Sequence, residues 1–437
     1  MGCLALAGAD TLYDALFERL GVARMTSITA FVETLKFLHF GATGGGRLVS
    51  LSCSGGEAAL AADLSVGRGV SFPPFDPVTK EKVSSTLNEF VSIDNPLDYH
   101  TFIWNQEEKL TNTFTAVLSG GFDVGMLILD TPTQAHLNPA AWLKTARAFK
   151  VSALANNARA AVVATLPECL PLDLADDLVA DGIAPMFGLD DALTAFEAAA
   201  KIGANWARTD KLPPVSSPKA STGEAKTLSE IEAKALLASH GLSVPQGREC
   251  SIADAPGVAA EIGFPVTLKV SSAAIAHKTE AGGVKLNLMS KDEVAAAAKA
   301  MAHLSDKVLV ERMVKGAVAE LIIGVNRDPQ FGLALVVGAG GVLTELLKDS
   351  AALLLPTSRP EIERAVKGLK VWTLIEGFRG KSGDREAVFR AIEAVAAFAA
   401  AAGPAPVVDE AGGRLGQVVL EVRADLVALG DAEVAAV

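Results

Sequence analysis

Aromatic side chains are scarce in this chain: Phe, Trp and Tyr together make up 5% of its 437 residues. Half of the residues are nevertheless apolar, so the hydrophobic cores have to be built from Ala, Val and Leu. No apolar run reaches the roughly 18 residues that a membrane-spanning helix needs, and the first residues lack the basic region of a signal peptide. We therefore predict two or three domains and no membrane association.

Cysteine and positive charge are also in short supply. The four cysteines, Cys3, Cys53, Cys169 and Cys250, are scattered without paired spacing. This disfavours a zinc site or a disulfide framework and is typical of a reducing compartment. The formal net charge is −12, whereas binding nucleic acid requires a basic face. We expect a cytoplasmic protein that does not bind nucleic acid.

A segment rich in Pro, Ser and Lys, residues 209–226, divides the chain and is predicted to be a linker. Before it, strands alternate with helices: strands are predicted at 48–52, 124–130 and 160–166, and helices at 57–65, 139–149 and 190–202. This alternation indicates an α/β domain with a parallel sheet that is covered on both faces.

The second half has a different pattern. A helix is predicted over 228–240, because Ser229 and Glu232 form the Ser-x-x-Glu pattern of a capping box. Strand-like runs then follow closely, at 266–270, 284–288, 308–313, 320–325 and 333–337, with a turn predicted at 326–328. Closely spaced strands with a few helices favour antiparallel pairing and an α+β domain.

One segment of this half has the residues that phosphate chemistry requires. Lys269 ends an apolar run, and His277, Lys278 and the pair Gly282-Gly283 follow it. A lysine supplies charge, glycines allow backbone N–H groups to approach phosphate oxygens, and a neutral imidazole can accept a phosphoryl group. The alternatives are a lysine that reaches out to solvent and an ordinary surface histidine.

The first half contains a second candidate anion site. Ser54, Gly55 and Gly56 lie where a predicted strand ends and a helix begins. Such a turn directs free N–H groups and the positive end of the helix dipole towards one point. The alternative is a tight turn without a ligand.

Further polar residues could complete a nucleotide site. The strand end at Glu311–Met313 could offer backbone groups to adenine and a carboxylate to ribose, and Glu320 begins the next strand. Glu345 is spaced from Asp349 so that both lie on one helix face, which suits Mg²⁺ or solvated pairing. Arg379, next to Gly380, could bind phosphate or cap a loop, and Glu421 could ligate a metal or be an exposed strand residue.

Longer motifs now suggest a family. In the second half they are LSEIEAKALL (228–237), GFPVTLKV (263–270), HKTEAGGV (277–284), ELIIGVNRDPQFG (320–332) and GGVLTELLKD (340–349). In the first half they are ALAGAD (5–10), SGG (54–56) and NPLD (95–98). With these segments the chain resembles the NDP-forming acyl-CoA synthetases, that is, the ADP-forming acetyl-CoA synthetases and their relative succinyl-CoA synthetase.

The resemblance implies a flavodoxin-like ligase domain at 1–208, a linker at 209–226 and an ATP-grasp domain at 227–437. It also implies a reaction in which a carboxylate, CoA and ATP form acyl-CoA, ADP and phosphate through an acyl phosphate and a phosphohistidine, with Mg²⁺.

By the same resemblance seven of the candidate residues receive an expected role. His277 would take part in phosphoryl transfer, Lys269 would bind nucleotide phosphate, and Glu311 and Glu320 would face the nucleotide. Ser54, Gly55 and Gly56 would receive the phosphohistidine.

Two departures qualify the resemblance. The family's main phosphoryl-carrying histidine would fall on Gly2, and Arg423, near the candidate metal ligand Glu421, replaces an Asn of the metal segment. We expect a chain that needs a CoA-binding subunit or domain from elsewhere and forms oligomers. The alternative is a catalytically incomplete, nucleotide-binding regulator. The acyl substrate cannot be inferred from these motifs.

Overall fold

A computed structural model describes residues 10–40, 44–134, 136–212, 229–271, 281–328, 330–340 and 349–401. It also describes the backbone of 417–418, 422–425 and 433–436. The chain forms two compact units. The parallel-sheet unit comprises residues 17–211, and the antiparallel unit comprises residues 1–16 and 212–437.

In the part of the parallel-sheet unit that the structure describes, five parallel strands have the order β2-β1-β3-β4-β5. These strands are β1 Leu48–Ser52, β2 Leu97–Asp98, β3 Val124–Ile128, β4 Ala160–Ala164 and β5 Ala184–Phe187. The helices up to the end of this unit are α1 Asp10–Leu20, α2 Ile28–His39, α3 Gly55–Ser65, α4 Pro77–Ser84, α5 Glu107–Leu118, α6 Ala140–Ala155, α7 Leu172–Ala180 and α8 Leu189–Trp206.

Two hydrophobic cores lie on opposite faces of this sheet, because successive strand residues point to opposite sides. Leu127 of β3 belongs to the core formed with α5, α6 and α7, whereas Met126 belongs to the core formed with α2, α3 and α8. In the second core the rings of Phe37 and Phe196 meet edge to face at 4.6 Å. The doubly covered parallel sheet predicted from the sequence is confirmed.

The described residues of the antiparallel unit form two four-stranded sheets and a separate strand pair. The first sheet has the order β6-β9-β7-β8, with β6 Gly247–Ser251, β7 Val266–Val270, β8 Val284–Leu288 and β9 Lys307–Arg312. The second has the order β12-β11-β10-β13, with β10 Leu321–Asp328, β11 Gly332–Ala339, β12 Ser350–Leu354 and β13 Gln417–Val418. The pair consists of β14 Val422–Asp425 and β15 Glu433–Ala436.

Helices cover these sheets: α9 Glu230–Ser239, α10 Ala255–Ile262, α11 Lys291–Met301, α12 Arg359–Lys367, α13 Trp372–Gly377 and α14 Arg385–Ala401. All the pairings are antiparallel, so the predicted α+β class is confirmed. Helix α9 begins with the predicted capping box between Ser229 and Glu232. Within the described parts of the chain, no helix is both long and apolar enough to cross a bilayer.

The first described helix contributes to the antiparallel unit with its opening residues. Leu12 is buried in a small core with Phe331, Ala334 and Leu354. The Tyr13 ring meets the Phe331 ring edge to face at 4.9 Å. Residues from the start of the chain therefore complete a hydrophobic cluster on β11 and β12.

The turn predicted at Asn326–Asp328 is wrong. Strand β10 continues through Asp328, because all three residues pair with β11. The turn follows instead: the Asp328 carboxylate accepts N–H groups of Gln330 at 2.7 Å and Phe331 at 3.0 Å. Long-range strand pairing has outweighed the local preference of Asn and Asp for turns.

The close pairing of β11 with β12 leads to a prediction about stability. A Cβ on Gly338 would lie 2.8 Å from the Asp349 carbonyl oxygen and 2.9 Å from the Ser350 Cβ. We expect Gly338→Ala to lower the free energy of unfolding of this unit by about 1–3 kcal/mol. The measurement is urea unfolding followed by pulsed hydrogen exchange of peptides from β11 and β12.

The matched control is Gly257→Ala. Gly257 lies in α10, and a Cβ there would meet nothing within 4 Å. This variant should be neutral or up to about 1 kcal/mol more stable, because alanine is the better helix former. Equal unfolding curves for Gly338→Ala and the wild type would contradict the proposed steric clash.

Candidate functional site: a buried charge cluster and a helix start

Four charged side chains of the antiparallel unit form one buried cluster: Glu230 and Lys234 of α9, Lys269 of β7 and Glu311 of β9. We call these four residues the charge cluster. Their side chains are only 3% to 8% exposed. Two carboxylates and two ammonium groups give a formal charge of zero, which allows the group to be buried.

Strand pleating brings the lysine and the glutamate of the two strands together. Val266, Leu268 and Val270 of β7 belong to the core beneath α10 and α11, so the alternate residues Thr267 and Lys269 face the other side. Glu311 pairs with Thr267 across the sheet and therefore shares their face.

Helix α9 lies against this face and supplies the remaining two charges. Glu230 and Lys234 are spaced one turn apart, and the Lys234 Nζ donates to the Glu230 Oε1 at 2.9 Å. The Lys269 Nζ contacts the same Glu230 oxygen at 2.7 Å and the Glu311 Oε2 at 3.1 Å. The Lys234 Nζ also binds the Glu311 Oε1. Each carboxylate thus contacts both ammonium groups.

Opposing effects set the ionisation of the cluster. Burial would raise the pKa of Glu230, but the charges of Lys269 and Lys234 outweigh it and lower that pKa to about 2. Burial would lower the pKa of Lys269, but Glu230 and Glu311 outweigh it and raise that pKa above its ordinary value. Both groups are therefore charged at neutral pH, and Lys269 is a positioned cation.

The other predicted residues of this unit are placed as follows. The Met313 N–H donates to the Pro265 carbonyl at 3.0 Å, which ties the end of β9 to the start of β7. Glu320 precedes β10, and its carbonyl accepts the Gly340 N–H at 2.7 Å. Arg379 is exposed in a tight turn with φ 51°, its guanidinium 5.2 Å from the Phe378 ring centroid. None of these contacts joins them to the charge cluster.

The glycine pair lies at the entrance to β8. Gly282 has a left-handed φ of 73°, and the Gly283 carbonyl accepts the Val270 N–H at 2.8 Å. Four predicted residues, His277, Lys278, Glu345 and Glu421, lie outside the described residues, and Arg423 is described by its backbone alone.

The second candidate site lies in the parallel-sheet unit. Ser54 has an extended backbone and precedes α3, which begins at Gly55 directly after β1. In this sheet the chain adds β2 on one side of β1 and then β3, β4 and β5 on the other, so the strand order reverses between β1 and β3. In doubly wound sheets, ligands bind in the crevice at such a reversal. The structure therefore puts the Ser54–Gly56 turn at the carboxyl edge of the sheet, beside its central strands.

Three carboxylates lie near this helix start. The sequence analysis quoted one of them, Asp98, in the NPLD motif but gave it no role, and it did not single out the other two. Asp98 ends β2, Asp130 lies two residues after β3, and Glu57 is the third residue of α3. We call them the carboxylate trio. A Cβ on Gly55 would lie 3.2 Å from the Asp98 Oδ2, so glycine permits the close approach. Within the described part of the chain, no three His, Cys, Asp or Glu residues are arranged to hold a metal ion.

Comparison with known proteins gives a class and then a family. Residues 219–405, which contain the charge cluster, match the family described as "ATP-grasp domain". The trans-feruloyl-CoA synthase FCS1 of an unknown prokaryotic organism is 29% identical over 86% of this chain and 54% of the relative.

Acetate–CoA ligase [ADP-forming] II subunit beta of Pyrococcus furiosus is 35% identical over 36% of this chain and 72% of the relative. A structure of "Ca. Korarchaeum cryptofilum ACD1 in complex with coenzyme A" is 32% identical, with a TM-score of 0.41, over 48% of this chain and 91% of that one. The chain belongs to the NDP-forming acyl-CoA synthetase family. It spans about half the length of the first curated relatives that it matches.

The charge cluster predicts how acid destabilises this unit. The folded pKa of Glu230 is about 2, against an ordinary value of 4.5. Its stabilising contribution is therefore complete above pH 4.5 and is lost as pH falls towards 2. We expect Glu230→Gln to cost about 3 kcal/mol at pH 7 and to lose less further stability than the wild type between pH 4.5 and 2. Urea unfolding, read by hydrogen exchange in β7 and β9, measures both.

The control is Glu261→Gln, because Glu261 forms an exposed ion pair with Arg248. Its effect should stay below about 1 kcal/mol. Stability curves that run parallel for the wild type and Glu230→Gln from pH 7 to pH 2 would show that Glu230 has no depressed pKa.

Proposed function

We propose that this chain is the ligase-domain and nucleotide-binding part of an ADP-forming acyl-CoA synthetase. In the overall reaction a carboxylic acid, CoA and ATP form acyl-CoA, ADP and phosphate. Family membership supports the reaction class. The observation that carries the assignment to this chain is Lys269, a buried ammonium held in place by Glu230 and Glu311 within the ATP-grasp match.

A held lysine suits phosphoryl transfer, because such reactions depend on positioned charge. Glu230 and Glu311 fix the ammonium before a nucleotide arrives, so little reorganisation is needed on binding. In this proposal Glu311 acts by positioning Lys269, since both of its oxygens contact lysines. The backbone at Glu311–Met313 would face the adenine.

The remaining candidates complete the proposed nucleotide site. Lys278 and Arg379 would neutralise phosphate charge, and N–H groups at Gly282 and Gly283 would bind phosphate oxygens. Glu320 would lie on the nucleotide side. Glu345 and Glu421 are the proposed ligands of Mg²⁺, which would supply further neutralisation of the phosphates.

His277 is the proposed phosphoryl acceptor of this unit. The chain leaves β7 after Val270 and returns at Val284, which pairs with Lys269. Both ends of the segment that carries His277 are thus attached beside Lys269, which supports a role for the two residues at one nucleotide. The imidazole nitrogen would attack the γ-phosphorus of ATP, the bond to the bridging oxygen would break, and ADP would leave. In the reverse direction ADP would accept the phosphoryl group.

Ser54, Gly55 and Gly56 are proposed to receive a phosphoryl group in the parallel-sheet unit, where the start of α3 offers N–H groups and a favourable dipole. Binding of CoA is assigned to another domain or subunit, because this chain matches only about half of the first curated relatives. Relatives named as beta subunits support assembly with such a partner into an oligomer. We propose that the assembly works in the cytoplasm.

Nucleotide binding tests the role of Lys269. We expect Lys269→Met to bind ADP in the presence of Mg²⁺ about 10- to 100-fold more weakly than the wild type, because a charge-assisted hydrogen bond to phosphate contributes roughly 1.5–3 kcal/mol. The measurement is titration calorimetry on the full chain, with circular dichroism to check the fold.

Two variants separate phosphate binding from structural support. Lys234→Met removes the other lysine of the charge cluster, so it should lose stability and keep most of its ADP affinity. Lys307→Met changes an exposed lysine of β9 and should change neither. If wild-type chain binds no ADP at any Mg²⁺ concentration, the nucleotide-binding proposal is wrong.

Covalent phosphorylation tests His277. After incubation with ATP and Mg²⁺, we expect intact mass spectrometry under alkaline conditions to show one added phosphoryl group, and His277→Asn to show none. His303→Asn, a change of an exposed histidine of the same unit, is the control. A chain that binds ADP but never becomes phosphorylated would favour a regulatory nucleotide-binding role instead.

A further inference from the structure

The carboxylate trio creates a conflict at the proposed phosphate site. Glu57, Asp98 and Asp130 lie around the same helix start that would receive a phosphoryl group, and the charges of Asp130 and Asp98 act on Glu57. A phosphoryl group carries about two negative charges at neutral pH. Three ionised carboxylates would repel it, so the site needs a means of losing negative charge.

Two members of the trio already have hydrogen-bond donors. The Asp98 Oδ1 accepts the His100 N–H at 2.8 Å, and the His100 Nε2 lies 3.6 Å from the Asp98 Oδ2. The Asp130 Oδ1 accepts the Thr165 N–H at 2.7 Å, and its Oδ2 accepts the Thr165 hydroxyl. Both carboxylates are thus paired with donors of the chain.

Glu57 is the exception within the trio. Its Oε2 is buried and has no hydrogen-bond partner among the residues that the structure describes. Burial, and after it the charges of Asp130 and Asp98, raises the pKa of Glu57 to about 7. Glu57 is therefore the member that gains a proton most easily near neutral pH.

A second buried polar group, the Tyr99 hydroxyl, lies at this place with only a weak sulfur acceptor beside it. The Tyr99 side chain is wholly buried, and its hydroxyl has no hydrogen-bond partner in good geometry within the described ranges. The Cys53 thiol, a weak acceptor, lies beside it, and the charges of Cys53, Glu57 and Asp98 act on it. Burial raises the pKa of Tyr99 well above its ordinary value, so this hydroxyl is a neutral donor. A buried donor of this kind points to a polar ligand at the helix start.

The other described charges that face α3 are engaged elsewhere. Helix α8 packs on α3, but its Asp190 and Glu197 pair with Arg68 at 2.5 Å and 4.0 Å. The groups that act on Glu57 are thus the two aspartates, with Cys53, Tyr99 and His100 next to them.

We propose that Glu57 is a ligand-binding residue that carries a proton: it takes up one proton when a phosphoryl group binds at Ser54–Gly56, and its carboxylic acid then donates a hydrogen bond to a phosphoryl oxygen. The proton comes from solvent. It neutralises one carboxylate of the trio, while the ligand brings about two negative charges. This inference rests on the proposed phosphate site of the parallel-sheet unit.

Sulfate is the probe for the test, because it keeps two negative charges from pH 5 to pH 9 and so does not itself titrate. Calorimetry on the full chain should show an affinity about tenfold weaker at pH 8 than at pH 6, since Glu57 titrates near pH 7. Buffers of different ionisation heat should report uptake of almost one proton at pH 8.

Three variants separate the causes. Glu57→Gln keeps a donor without the charge, so it should bind sulfate about equally at pH 6 and pH 8 and about tenfold more tightly than the wild type at pH 8. Glu57→Ala should also lose the pH dependence but bind more weakly than Glu57→Gln, because it lacks the donor. Glu108→Gln, a change of an exposed first-turn glutamate of α5, should behave as the wild type does.

The outcomes distinguish this inference from the function on which it rests. A pH dependence that persists in Glu57→Gln, or equal affinities for the Gln and Ala variants, overturns the inference alone. Sulfate binding that is undetectable in every protein from pH 5 to pH 9 overturns the phosphate site as well. The ADP titration tests the nucleotide site of the antiparallel unit, so neither result changes its interpretation.

Discussion

Mutual neutralisation in the charge cluster is the interaction on which the antiparallel unit depends. Glu230, Lys234, Lys269 and Glu311 are all buried, and each acid contacts both bases. Removal of any one leaves an uncompensated charge in a place of low dielectric, which is far more costly than loss of a surface ion pair. The same contacts hold α9 against β7 and β9 and orient the lysine proposed to bind phosphate. Folding and the proposed phosphate binding would thus use one set of side chains.

The two candidate sites differ in how each would attract an anionic ligand. The Lys269 side chain stays a cation at neutral pH, because Glu230 and Glu311 raise its pKa. At the proposed phosphate site Ser54–Gly56 the attraction would come from backbone N–H groups and the helix dipole, while charged side chains near Glu57 are acids. A permanently charged site suits a ligand that is always anionic. A site with little net attraction suits a group that has to arrive and leave in each cycle.

The sequence predicted elements well where the signal is local. The strand at 266–270 and the capping box of α9 are both predicted from residues a few positions apart, and both are confirmed. The charge cluster is harder to foresee, because Lys234 and Glu311 are 77 positions apart and only strand pairing shows which face Glu311 takes. The carboxylate trio is likewise hard to predict from the sequence, because its members come together only through the strand order β2-β1-β3. At Asn326–Asp328 local composition favoured a turn, and partners on β11 decided otherwise.

The contact between Tyr13 and Phe331 has a consequence for how the chain acquires its fold during synthesis. Leu12 and Tyr13 are synthesised before the strands that they cover, which are made only after the whole parallel-sheet unit has been translated. Helix α1 therefore cannot pack on these strands until that unit has been made, and the antiparallel unit cannot be completed from its own contiguous stretch. A fragment cut out at the boundaries of the ATP-grasp match would lack this cover.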